Sequence, residues 1–175
     1  MKLYCYIFAF NIMLFSTQPF VLAQDFNKGL AAYEAGDYDS ALEEWNPLAE
    51  MGNASAQYKL GYMYKTGKGV PLDYGGAVRW YHLAAIQGNA SAQSNLGFMY
   101  KTGKGVPQDF LQAYMWYEIA NISGHKDAEK WLHNLSRKMI PANIEKAQKM
   151  ATECIGKAYK NITSHSFYKL YLYIL

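Results

Sequence analysis

Residues 52–87 lie over residues 88–123 without a gap, at a period of 36 and with 23 identities in 36 positions. Self-similarity at such a period marks a stack of small supersecondary units, none able to bury its own apolar face alone. The register continues forward, where Gly124, Ala128 and Leu132 match Gly88, Ala92 and Leu96 before the match ends at His133. It also continues backward, with Asp37, Tyr38, Ala41, Ala49 and Gly52 matching Asp73, Tyr74, Ala77, Ala85 and Gly88. Two full units, 52–87 and 88–123, are thus flanked by a partial one at 25–51 and a degenerate one that opens at 124.

Within each unit the apolar spacing is helical. Ala56, Leu60, Met63 and Tyr64 fall on one face at steps of three and four, and Ala77, Trp80, Tyr81, Ala84 and Ala85 do the same further on. Each unit reads as a helix pair, with Asn53 and Asn89 as N-caps of the first helix and Asp73 and Asp109 of the second. Small residues recur where backbones must approach: Gly61, Ala77 and Ala84, and their copies Gly97, Ala113 and Ala120, beside Leu60, Trp80, Leu96 and Trp116. Gly75 and Gly76 occupy a first helical turn where the copy has Leu111 and Gln112, which weakens that turn by about 1 kcal/mol per glycine.

The segment Thr-Gly-Lys-Gly-Val-Pro, present twice, invites a phosphate-binding reading. A phosphate-cradling loop has the spacing G-x-x-x-x-G-K-[ST] and follows a strand, whereas here the glycines follow a helix and precede Val-Pro. Gly67 and Gly103 stand where a left-handed C-terminal cap needs a residue without a β-carbon. Gly69 and Gly105 relax the chain, and Pro71 and Pro107 prevent the helix from continuing. The loop is read as architectural.

Taken together, Ala, Leu-Gly, Tyr, Gly-x-Gly-Val-Pro, Asp-Tyr, Ala, Trp-Tyr and Ala-Ala at fixed places in residues 54–89, and again in 90–125, resemble the Sel1-like repeat family. The family is a relative of the tetratricopeptide repeats with a longer inter-helix loop. The resemblance covers roughly residues 25–135 and implies an all-α, right-handed α-α solenoid of helix-turn-helix repeats. It also implies an adaptor or assembly role in a bacterial periplasmic or secreted protein. Asn121 in place of the second Ala, and His133 in place of the Gly after Leu132, depart from the pattern.

The chain begins with Lys2, an apolar run from Leu3 to Phe15, a break at Pro19 and then Val21-Leu22-Ala23. Small residues before Ala23/Gln24 read as a signal-peptidase site, so residues 1–23 are expected to be an export signal, too short in its apolar run to span a membrane. Its removal leaves 16 basic against 14 acidic residues, a balance with no concentrated basic stripe and no nucleic-acid partner expected. Of the two cysteines, Cys5 leaves with the signal, and Cys154 alone cannot form an internal disulfide.

After Pro141 a last amphipathic helix places Ile144, Ala147, Ala151, Ile155 and Ala158 on one side, so that residues 124–158 read as the degenerate repeat plus a capping helix. Residues 159–175 are polar and then abruptly aromatic; docking on the last helix pair, a membrane surface and a sequence accident all stay open.

Catalytic signals are weak. The histidines His82, His125, His133 and His165 are scattered, and only His125 and His133 have a separation that could share a helix face, without a carboxylate to complete a metal trio. Neither G-x-S-x-G nor H-E-x-x-H occurs, and Glu43-Glu44 are adjacent and point apart on a helix. Asn53, Asn89, Asn121, Asn134 and Asn161 open N-x-[ST] triplets, which coincide in part with capping. No catalytic residue, metal or cofactor is expected.

What remains is surface. Positions 58, 62 and 65 point away from the face of 56, 60 and 63, and carry Tyr58, Tyr62 and Lys65, then Ser94, Phe98 and Lys101 in the copy. With the neighbouring Lys59 and Asn95, these eight are the candidate concave-face residues of a groove for another protein or peptide, against the simpler reading of solvated aromatics on adjacent helices. The chain therefore reads as an exported, non-enzymatic scaffold for protein–protein interaction. A periplasmic peptidoglycan or glycan binder, with sugars stacked on the aromatics, is the alternative. A hydrolase of the cysteine-rich β-lactamase-like Sel1 branch comes third, since the disulfide pairs that mark that branch are missing.

Overall fold

The computed structural model describes residues 25–156; the expected export signal at 1–23, Ala158, Asn161, His165 and the 159–175 tail lie outside the described residues. The described residues form α-helices joined by turns, without a strand: α1 (Phe26–Glu34), α2 (Tyr38–Glu50), α3 (Ala54–Thr66), α4 (Tyr74–Ile86), α5 (Ala90–Thr102), α6 (Phe110–Ile122), α7 (Ala128–Ser136), and α8 over 141–156. Each of α1 to α6 packs on the next in chain order, and α3 also lies beside α5. This is the α-α solenoid of consecutive helix pairs that the repeat demands.

Each pair closes through an aromatic ring laid on a glycine. A β-carbon on Gly61 would fall 2.6 Å from the Tyr81 ring, and one on Gly97 would fall 2.5 Å from that of Tyr117. Gly29 stands under Trp45 in the same way, and the indole N–H donates to the Phe26 carbonyl at 3.2 Å. Trp45, Tyr81 and Tyr117 are buried, flanked by Ala41, Ala49, Ala77, Ala84 and Ala113. Trp116 is buried too, whereas Trp80 is only partly buried, packed against the first core of Trp45, Leu60 and Met63.

The first helix of the first pair falls outside the 36-residue register that α2 keeps, for a simple reason. Three residues separate α1 from α2, but seven separate α3 from α4, so Gly29 falls 32 positions before Gly61.

Consecutive pairs are tied by a polar link that the repeat pattern alone does not single out. Gln57 is 4% and Gln93 is 2% exposed, and their Nε2 groups donate to the carbonyls of Ala49 and Ala85 in the preceding helix, at 2.9 and 3.0 Å. A buried carbonyl satisfied from the next unit fixes how the units meet. One period later stands Glu129, an exposed acceptor that cannot donate, so the link stops at the degenerate unit.

The caps follow the sequence closely. Asn53 and Asn89 accept the N–H of Ala56 and Ala92 at 3.0 and 2.9 Å. Gly67 and Gly103 take φ of 70° and 71° and donate to the carbonyls of Met63 and Met99. Asp109 accepts from Leu111 and Gln112, but Asp73 makes no side-chain cap bond; its carboxylate lies 3.7 Å from the Arg79 guanidinium instead. Gly69 and Gly105 do more than relax the chain. Both have positive φ, and a β-carbon on Gly69 would meet Tyr38 at 2.5 Å, one on Gly105 the Tyr74 backbone, so each loop rests on the preceding unit.

The last helix begins at Pro141 and buries Ala147 and Ala151 fully in the second core, with Ile144 and Ile155 partly buried beside them. Among the described residues no helix is long and apolar enough to cross a membrane.

Replacing glycine by alanine inside a helix ordinarily stabilises it by about 1 kcal/mol. Gly61→Ala and Gly97→Ala should do the reverse, lowering unfolding free energy by about 1–3 kcal/mol, because a fully packed tyrosine must be displaced. Gly156→Ala, where an added β-carbon meets none of the described residues within 4 Å, should be neutral or stabilising. Urea denaturation of the three variants measures both signs.

Candidate functional site

The first helices of the two full units, α3 and α5, run side by side, and between them and α7 lies a cavity of about 390 Å³. Six of the eight sequence-predicted residues line it: Tyr58, Lys65, Ser94, Asn95, Phe98 and Lys101. Ser91, Tyr117, His125 and Trp131 complete the wall, and none of these is expected from the repeat. A second cavity of about 180 Å³ continues from it, sharing Lys101 and Trp131 and ending at Lys138.

Two predicted residues turn elsewhere. The Lys59 ammonium sits 5.8 and 5.7 Å from the centroids of Tyr33 and Trp45, and the Tyr62 ring meets Tyr33 edge-on at 6.5 Å. Both pack on the first helix pair, because that pair presents an aromatic cluster at the angle the α3 side chains reach. Ser94 corrects the surface reading: it is 5% exposed, with its hydroxyl donating to the Ser91 carbonyl at 2.8 Å.

The substitution of serine for tyrosine between the two copies explains where the cavity opens. Tyr58 lies over Tyr81 at 6.0 Å between centroids, covering it. At the equivalent place Ser94 is too short to cover Tyr117, which packs instead against Trp131 at 5.3 Å. The space vacated by the missing ring is the cavity. Tyr81 and Tyr117 are held by burial above the ordinary tyrosine pKa, Tyr117 at about 12, so both remain neutral phenols in the wall.

Positive charge gathers at one ring. The ammonium groups of Lys65, Lys101 and Lys104 lie 4.9, 5.9 and 5.9 Å from the Phe98 centroid. Lys65 donates to Asn95 Oδ1 at 2.7 Å, a neutral partner. Partial burial and then the repulsion of Lys104 hold its pKa below the usual lysine value.

His125 precedes α7 rather than sharing a helix with His133, and its Nδ1 accepts the Asp127 N–H at 3.3 Å while its ring lies 4.9 Å from Trp131. Among the described residues no group of three His, Cys, Asp or Glu is placed to hold a metal ion. The spacing S-x-x-K does occur at Ser123 and Lys126, but both are exposed on the turn after α6, and its other occurrence, Ser166 and Lys169, lies outside the described residues.

Against known proteins, the Sel1 repeat family profile matches residues 54–89 and 90–125, two segments at the same 36-residue period. In three dimensions the chain is similar to a protective antigen present in uropathogenic Escherichia coli strains that displays an SLR fold. That likeness has 26% identity and a TM-score of 0.73, over 85% of this chain and 33% of that one. It is also similar to a Sel1 repeat protein from Oxalobacter formigenes, with 37% identity and a TM-score of 0.57, over 62% of this chain and 85% of that one. The chain spans about a third of the length of the first of these. No curated protein sequence matches it.

The half-buried charge gives a direct check. Because the folded-state pKa of Lys65 is lowered, its ammonium costs stability at pH values below that pKa, and the cost disappears as pH rises through the ordinary lysine range. NMR titration of the lysine side chains should place the Lys65 midpoint below the usual value. In Lys104→Gln the midpoint should move up, with the remaining depression due to burial.

Proposed function

The chain belongs to the Sel1 repeat family, and from that membership and the geometry of its groove we propose that it is an exported scaffold that binds another protein through the concave face formed by α3, α5 and α7. Sel1 repeats are a scaffold fold typical of protein–protein interaction. The observation that carries the reading is the cavity itself. A repeat that copies 23 of 36 positions changes Tyr58 to Ser94 where a cavity opens beside Tyr117 and Trp131. A groove lined by Phe98, Tyr117 and Trp131, with amide and ammonium groups at its rim, suits a helix or extended segment of a partner. No bond-making step is assigned to it: the imidazole in its wall, His125, accepts the Asp127 N–H through Nδ1, and among the described residues no group of three His, Cys, Asp or Glu is placed to hold a metal ion. Export through residues 1–23, to the periplasm or beyond, is part of this proposal and rests on the composition of that segment.

The test fills the cavity with the chain's own residue. Ser94→Tyr installs at the second unit what Tyr58 is at the first, so the fold should be kept. A photo-crosslinker at position 101 should capture a partner from the source extract, and one at Leu83, exposed on the second helix of its unit, should not. Ser94→Tyr should abolish capture at 101 while leaving the thermal midpoint unchanged or higher. Equal capture at both positions, or capture indifferent to Ser94→Tyr, refutes the groove.

A further inference from the structure

We propose that the partner segment held in this groove is acidic: an aromatic or aliphatic side chain seated on Phe98 and Trp131, with carboxylates on either side meeting Lys65, Lys101 and Lys104. The inference rests on the protein-binding reading and names its ligand chemistry.

Three observations converge. First, neither cavity is lined by a carboxylate, while Lys65, Lys101 and Lys138 line them. Among the described residues the ion pairs are Lys28 with Glu44 and Arg79 with Asp73, so the groove lysines have no anion of their own. Second, three ammoniums converge on the single ring of Phe98, although like charges at such spacing repel one another. Lys65 is half-buried within this cluster with only a neutral amide oxygen as acceptor. A half-buried Lys65 among like charges is a cost that an incoming anion reduces, and so becomes a specificity device. Third, the acids are concentrated away from the groove. Residues 25–50 hold seven of the 14 acidic residues against Lys28 alone, while residues 52–87 hold Lys59, Lys65, Lys68 and Arg79 against Asp73. Whole-chain charge hid this, because the two ends cancel.

A protein segment fits better than a nucleic acid. A phosphate backbone is held by a long basic stripe, but here the cations surround one apolar spot inside an aromatic wall. That arrangement reads an apolar residue between acids.

Fluorescence anisotropy with the full chain tests this, using short labelled peptides that carry a central Phe among glutamates, among glutamines or among lysines. The glutamate peptide should bind at least about tenfold more tightly than the glutamine peptide, and the lysine peptide should not bind. Added salt should weaken the glutamate complex, as screening requires. Lys101→Glu should remove the preference, with circular dichroism confirming an intact helix content, and Lys101→Arg should retain it.

Equal binding of glutamate and glutamine peptides, both blocked by Ser94→Tyr, overturns the acidic partner and leaves the groove standing. No binding by any peptide overturns it too, and with no capture by the crosslinker at 101 the groove reading falls as well. An oligonucleotide that binds as tightly as the glutamate peptide overturns the choice of a protein ligand. Self-association in sedimentation, lost in Lys101→Glu, would seat the acidic first helix pair of a second copy in the groove and likewise overturn a foreign segment.

Discussion

The fold depends on three rings resting on three glycines. Trp45 over Gly29, Tyr81 over Gly61 and Tyr117 over Gly97 bring the two helices of each pair to a separation no β-carbon would permit. Each glycine forgoes about 1 kcal/mol of helix propensity, and the buried aromatic surface exceeds that several-fold. Once the rings are seated, the alanines around them set how closely the next pair can approach, and the buried glutamines fix its rotation. Phe98 and Lys65 are on the outer side of helices already locked in this way. The groove is therefore rigid by construction.

Most of this was legible in the sequence, for a reason that also explains the exceptions. Positions that meet their own copies one period away must be compatible with themselves, so the Gly-aromatic pairs, the Asn caps and the Gly67 and Gly103 turns recur and can be read. Positions where the repeat meets something unlike itself cannot. Lys59 and Tyr62 face a first helix pair with a loop four residues shorter, so they pack on Tyr33 and Trp45 instead of the cavity. Ser94 was read from helical angle alone, which ignores the neighbouring α7, and it is buried. Tyr117, His125 and Trp131 enter the cavity through contacts between units, which a single unit's pattern does not contain.

The same logic locates function in the departures from symmetry. Two identical units would cover their aromatic walls identically, and a perfect repeat would be a smooth surface. Exchanging one tyrosine for serine opens a cavity beside Tyr117, and with no carboxylate in its lining the lysines around Phe98 have no anion of their own. The loop that looks like a phosphate cradle thus serves two purposes: its glycines cap a helix, and Lys104 reaches back toward Phe98 and Tyr74.

The glutamine link has a consequence in time. Gln57 and Gln93 each reach backward to a carbonyl of the preceding pair, while Glu129 offers nothing to the pair before it. As the chain emerges amino end first, the hairpins that open with α3 and α5 find their docking oxygens already in position, so ordering proceeds from the amino end. Under tension the hierarchy inverts: the carboxyl-terminal hairpin, which lacks the glutamine link, peels away first, and the earlier ones yield only afterwards.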